Sequence, residues 1–87
     1  MAYRVRYKRP AKRDIQKLNP QIQSRIKAKL EFFYSQKDPL RFAERLTEPL
    51  DAQYRWRIGD YRILFDVEEN LIVILRVQHR RDVYRKR

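Results

Sequence analysis

Polar and apolar residues alternate through the run YRWRIGDYRILF, from Tyr54 to Phe65. Tyr54, Trp56 and Ile58 alternate with Arg55 and Arg57, the period-2 signature of a half-buried strand. Gly59-Asp60 suits a two-residue hairpin turn, after which Tyr61, Ile63 and Phe65 alternate with Arg62 and Leu64. This turn sets the register: Ile58 faces Tyr61 and Arg57 faces Arg62. A hairpin is predicted over residues 54–66. Near the start, Tyr3, Val5 and Tyr7 alternate with Arg4, Arg6 and Lys8, predicting a strand over 2–8. The pattern then changes period. Ile15 and Leu18 give a short apolar stripe over 10–18, opened by Pro10. Asn19-Pro20 reads as an N-cap followed by a first helical residue, and Ile22, Ile26, Leu30 and Phe33 follow at helical spacing over 20–36. Asp38-Pro39 signals a third, short helical turn covering Phe42, Ala43 and Leu46 and closed by Pro49. After a turn at Glu68-Glu69-Asn70, the nearly continuous apolar run LIVILRV (71–77) suits a central strand covered on both faces.

The resulting order is strand, helix, helix, strand, strand, strand. It predicts an α+β fold: a mostly antiparallel twisted sheet with a helical hairpin packed on one face. The helices should cover the Trp56/Ile63 side and leave the Arg57/Arg62 side open. No linker, repeat or low-complexity segment interrupts residues 1–87, so a single domain is expected.

Charge makes the open face unusual. Lys and Arg number 22 against 11 Asp and Glu, a formal net charge of +11, and 15 of the basic residues are Arg. Like charges directly opposite each other across a ladder are destabilising. Arg57 facing Arg62, with Arg55 alongside, therefore asks for a negative partner. An excess of Arg favours a phosphate-bearing polyanion or an acidic protein. The chain has no Cys, one Gly and one His. These exclude a disulfide framework, a thiol nucleophile and a Gly-rich phosphate loop, and they make metal catalysis an unexpected mechanism; no cofactor is implied. No apolar run approaches the roughly 18 residues of a membrane span, and MAYRVRYKRP lacks a signal peptide's apolar core. A cytoplasmic protein is expected.

The segment LTEPLDAQYRWRIGDYRILFDV, followed by an apolar strand and VQHRRDVYR, resembles the RelE/ParE toxin superfamily. The specific part is the Y-R-x-R-x-G-D-Y-R-I core followed by H-R-x-x-V-Y; the first half of the chain fits in element order. The resemblance implies a small toxin of a type II toxin–antitoxin pair, neutralised by an antitoxin that wraps it. The RelE branch cuts messenger RNA in the ribosomal A site. The ParE branch shares the fold but poisons DNA gyrase and is not a nuclease. By resemblance to the RelE branch, Arg62 falls on the catalytic arginine, Arg55 and Arg57 on two basic strand positions, and Tyr84 on a C-terminal tyrosine. Arg80 matches a second arginine if a gap is allowed, with Arg81 as the alternative.

Cleavage of RNA by its own 2′-hydroxyl needs no metal. It needs in-line geometry, a proton acceptor and stabilisation of the charge that builds on phosphorus. Arginines suit the last role, and loss of one such donor commonly costs about 10²–10³ in rate. Arginine is a poor base, since its pKa exceeds about 12. Tyr84 and His79 are the residues that could move a proton. Trp56 reads as core, while Tyr61 reads as core or as a base-stacking platform. Arg4, Arg6 and Lys8 would make less specific contacts with RNA or an acidic antitoxin. Two readings compete with a ribosome-dependent nuclease: a ParE-like gyrase inhibitor, and a basic RNA-binding domain without chemistry.

Overall fold

The computed structural model describes residues 3–47 and 52–81. Tyr84 and Pro49 lie outside the described residues. Among the described residues five strands form one sheet in the order β1-β5-β4-β3-β2: β1 (Arg4–Tyr7), β2 (Glu44–Arg45), β3 (Tyr54–Ile58), β4 (Tyr61–Glu68) and β5 (Leu71–His79). β1 lies parallel to β5, with Arg4 beside Leu71 and Tyr7 beside Ile74; the other pairings are antiparallel. The helices α1 (Arg9–Gln16) and α2 (Pro20–Ser35) follow β1 directly.

The expected α+β architecture holds, with differences in detail. The third helical segment is one 3-10 turn, Pro39–Phe42, which does not reach Leu46. It gives way to β2, a strand of two residues absent from the sequence reading. Helix α2 starts as its sequence demands: Asn19 accepts a hydrogen bond from the Ile22 amide at 2.9 Å, and Pro20 takes the first helical position. An N-cap of this kind contributes about 1 kcal/mol. The hairpin register is also as the turn requires, with Ile58 opposite Tyr61 and Arg57 opposite Arg62. Gly59 sits at φ 59°, the positive angle a tight turn needs there.

Helix α2 lays Ile26, Leu30 and Phe33 on the sheet face formed by Trp56, Ile58, Ile63, Phe65, Ile72, Ile74 and Val77. Trp56 is the centre of this core. It is fully buried, stacks at 4.0 Å on Phe65 and 4.8 Å on Phe33, and donates its indole N–H to the Pro39 carbonyl. The Tyr7 and Tyr34 hydroxyls meet at 2.8 Å, tying β1 to α2; burial pushes the Tyr34 hydroxyl far above its usual pKa, so it stays neutral.

One irregularity in β5 keeps the core continuous. Leu64 pairs with Arg76 but Phe65 pairs with Ile74, leaving Leu75 as an extra residue. Without this bulge Ile74 and Val77, three residues apart, would point to opposite faces. With it, both join the core. Among the described residues α1 and α2 pack on one face of β5, where the sequence reading expected cover on both; Val73 and Leu64 are nevertheless buried on the open face. Where β1 ends, α1 continues along β5. Asp14 accepts the Val77 amide at 2.9 Å and pairs with Arg76 at 2.8 Å, filling the place of a strand partner.

Candidate functional site

The residues that alternate with the core on β3 and β4 form the open face, and the site is built there. Arg57 and Arg62 stand directly opposite each other. The chain reverses at Gly59-Asp60, and the end of β5 returns to the same tip, where the Arg80 amide donates to the Asp60 carbonyl at 2.7 Å. That bond brings Arg80 to the hairpin. Arg57, Gly59, Asp60, Arg62 and Arg80 together line a concavity of about 270 Å³. Of the two alternatives at the C-terminal position, Arg80 joins the cluster; Arg81 does not line it.

Arg55 behaves differently from its neighbours. Its side chain is only 18 % exposed, and it donates to Glu44 Oε2 at 2.7 Å. Among the described residues its Nε has no partner. Arg57 is 59 % exposed and approaches the other oxygen of the same carboxylate, Oε1, at 3.1 Å through its Nε. Glu44 comes from β2, where its backbone pairs with Arg55. The Arg55 hydrogen bond and charge, with Arg57 and Arg62 adding to them, hold the Glu44 carboxyl below its ordinary range. No pattern along the chain points to Glu44, because a two-residue strand has no period to detect.

Tyr61 and His79 face the helices rather than the arginines. Their rings meet edge to face at 5.0 Å, beside a recess of about 190 Å³ that Ile22, Arg25 and Ile58 also line. His79 Nδ1 accepts the Arg81 amide at 2.9 Å, and Arg80 and Arg81 begin a helical turn. His79 therefore occupies the N-cap position of that turn. Arg4 and Arg6 are exposed on the open side of β1, whose Tyr3, Val5 and Tyr7 pack on the core. β5 and β4 separate them from β3, a distance of roughly 14 Å at the usual strand spacing. Lys8 is exposed at the start of α1 and its amide donates to the Ile74 carbonyl. The structure thus gathers Arg57, Arg62 and Arg80, keeps Arg55 behind them, and leaves Arg4, Arg6 and Lys8 at the far edge.

Among the described residues no cluster of His, Cys, Asp or Glu could hold a metal ion, and no helix is long and apolar enough to cross a membrane. The arrangement is a cationic hollow on a rigid sheet, suited to an anion bearing several oxygens.

Residues 5–84 match the family described as the ParE toxin of type II toxin–antitoxin systems, parDE. The chain is 40% identical to Toxin RelG of Mycobacterium tuberculosis (strain ATCC 25618 / H37Rv) over 90 residues, covering 99% of this chain and all of that one. The RelBE2 toxin–antitoxin complex of the same species contains a chain that superposes with a TM-score of 0.74 at 35% identity, covering 91% of this chain and 92% of that one. The archaeal RelE–RelB complex of Pyrococcus horikoshii OT3 gives 0.71 at 27% identity, covering 92% and 97%. With the family match spanning nearly the whole sequence, the chain belongs to the RelE/ParE superfamily of type II toxin–antitoxin toxins.

Proposed function

We propose that this toxin is a ribosome-dependent endoribonuclease that cuts messenger RNA in the ribosomal A site. The observation that carries the reading is the convergence of Arg57, Arg62 and Arg80 on one hollow at the hairpin tip. A scissile phosphate seated there would be held by guanidinium forks on the open face of the sheet. The 2′-hydroxyl of the preceding ribose attacks phosphorus in line, its proton passes to a base, and the 5′-oxygen leaves with a proton. The products are a 2′,3′-cyclic phosphate and a 5′-hydroxyl. The arginines offset the charge on the phosphorane, Arg62 foremost, and their fixed positions mean little reorganisation as that charge develops. Tyr84 is the residue we assign to proton transfer. His79 serves the site by capping the turn that carries Arg80 and Arg81. The positive face also suits an acidic segment of a cognate antitoxin, in keeping with the relatives found in RelB complexes. The cytoplasm, where ribosomes work, is the compartment this reading requires.

The test is to add purified protein to a translating extract and map messenger 5′ ends by primer extension, beside Arg62→Ala and Tyr84→Phe. Codon-phased ends that vanish in both variants are expected. Intact messenger with normal translation would discard the reading. A second reading, inhibition of DNA gyrase, is favoured by the match to the ParE family. A supercoiling assay on the same preparation decides it.

A further inference from the structure

The arginine face has a negative partner within the chain itself. Glu44 places one carboxylate oxygen on Arg55 and the other on Arg57. The two contacts are unequal. Arg55 is largely buried and its Nε has no partner among the described residues, so this guanidinium depends on Glu44 to offset its loss of water. Arg57 is more exposed than not, meets Glu44 Oε1 through its Nε, and lines the hollow it shares with Arg62.

We propose that Glu44 is a positioning residue for the arginine site: anchored by Arg55, it aligns Arg57 opposite Arg62 and yields part of its hold on Arg57 to an RNA phosphate. This rests on the nuclease reading for its catalytic part. Without Glu44, Arg57 would lose the carboxylate that fixes its Nε and would spread over several rotamers opposite Arg62, with Asp60 at the tip of the hairpin the negative residue left in the wall of the hollow. With Glu44 in place, Arg57 is held beside Arg62, at the cost of one negative charge that the RNA must displace. Alignment and affinity are therefore set against each other at one carboxylate. The Glu44 side chain is half exposed, so its loss should leave the fold standing.

The experiment compares wild type with Glu44→Gln and Glu44→Asp. Melting temperature comes first, then binding of a short single-stranded RNA over a salt series, then single-turnover cleavage on programmed ribosomes. For Glu44→Gln, whose amide oxygen can still accept from Arg55, we expect a modestly lowered melting temperature with the fold retained, and tighter RNA binding at low salt. The log–log salt slope should steepen by about 0.7, the value for one added phosphate contact on a single strand. Cleavage at saturation should fall about 10- to 100-fold, as expected when a catalytic group loses its alignment. Glu44→Asp should recover part of the cleavage rate and return the salt slope towards wild type. Unchanged binding and cleavage in Glu44→Gln would overturn the proposal. So would a parallel loss of both with a sharply lowered melting temperature, which would make Glu44 a support for β2 only. If the wild type cuts no messenger, the nuclease reading falls by itself. The salt slope then decides alone whether Glu44 competes with RNA: a steeper slope in Glu44→Gln sustains the competition, and an unchanged slope ends it.

Discussion

The two sides of the β3–β4 hairpin share one backbone register and are built to opposite ends. On the helix side, Trp56, Ile63 and Phe65 are fully buried and stack into the core. On the other side, Arg57 and Arg62 stand opposite each other, a pairing that a sheet selected for stability alone would avoid. The residues are interleaved, yet their contributions separate. The odd-numbered core residues of β4 and even-numbered ones of β3 hold the hairpin rigid. The arginines between them use that rigidity to present charge at fixed spacing.

The strongest way to break this division is from the core. Trp56→Ala removes the stacked centre and leaves its cavity, which should lower unfolding free energy by about 3–5 kcal/mol in urea titration. Because small domains have only about 5–15 kcal/mol in total, toxicity would vanish through loss of fold. Arg62→Ala should do the reverse. Cleavage is expected to drop about 10²–10³-fold, while stability stays within about 0.5 kcal/mol of wild type, as for an ordinary surface change. A large stability loss in that variant would show the two faces to be coupled. His79 tests the seam between them. Asn can accept the Arg81 amide as His79 does, whereas Leu cannot. His79→Asn should keep near-normal cleavage. His79→Leu should lose about 1 kcal/mol of local stability, read as faster hydrogen exchange at the Arg81 amide. Equal loss of cleavage in both would make His79 a proton-transfer group instead. The smallest effect is at the other hairpin turn, where Glu69 adopts φ 57°. Glu69→Gly should relieve that strain and raise stability by about 0.5 kcal/mol, the relief being partly offset by a freer unfolded chain.

What was legible in the sequence was local. A two-residue turn at Gly59-Asp60 leaves one register for the hairpin, so the facing arginines could be read directly. Asn19-Pro20 carried the start of α2 in the same way. The features missed depend on contacts far apart in the chain. The parallel pairing of β1 with β5 joins residues 4–7 to 71–74, and no local pattern specifies it. β2 exists because Glu44 and Arg45 find β3, not through any alternation of their own. The bulge at Leu75 hid the two-faced nature of β5 behind an apparently continuous apolar run. At the site, Arg57, Arg62 and Arg80 were named from sequence, but the sequence offered nothing to separate Arg80 from Arg81. The carbonyl of Asp60 does so by binding the Arg80 amide. Tyr61 reads from the sequence as core or as a base-stacking platform and His79 as a candidate proton mover, and the pleat places both on the helix side, their rings against each other.

The shortness of β2 has a consequence for the toxin in a crowded cell. β2 pairs with β3 only at Tyr54 and Arg55, so among the described residues the outer edge of β3 from Trp56 to Ile58 has no strand beside it. An exposed edge of this kind invites a second chain to add its own strand and begin an aggregate. At the opposite margin Asp14 already occupies the open part of β5. On the β3 margin the exposed guanidinium of Arg57 repels an identical chain approaching in register. The arginine proposed to meet RNA would thus also disfavour pairing of one copy with the next, and replacing it with an apolar residue is expected to affect solubility as well as activity.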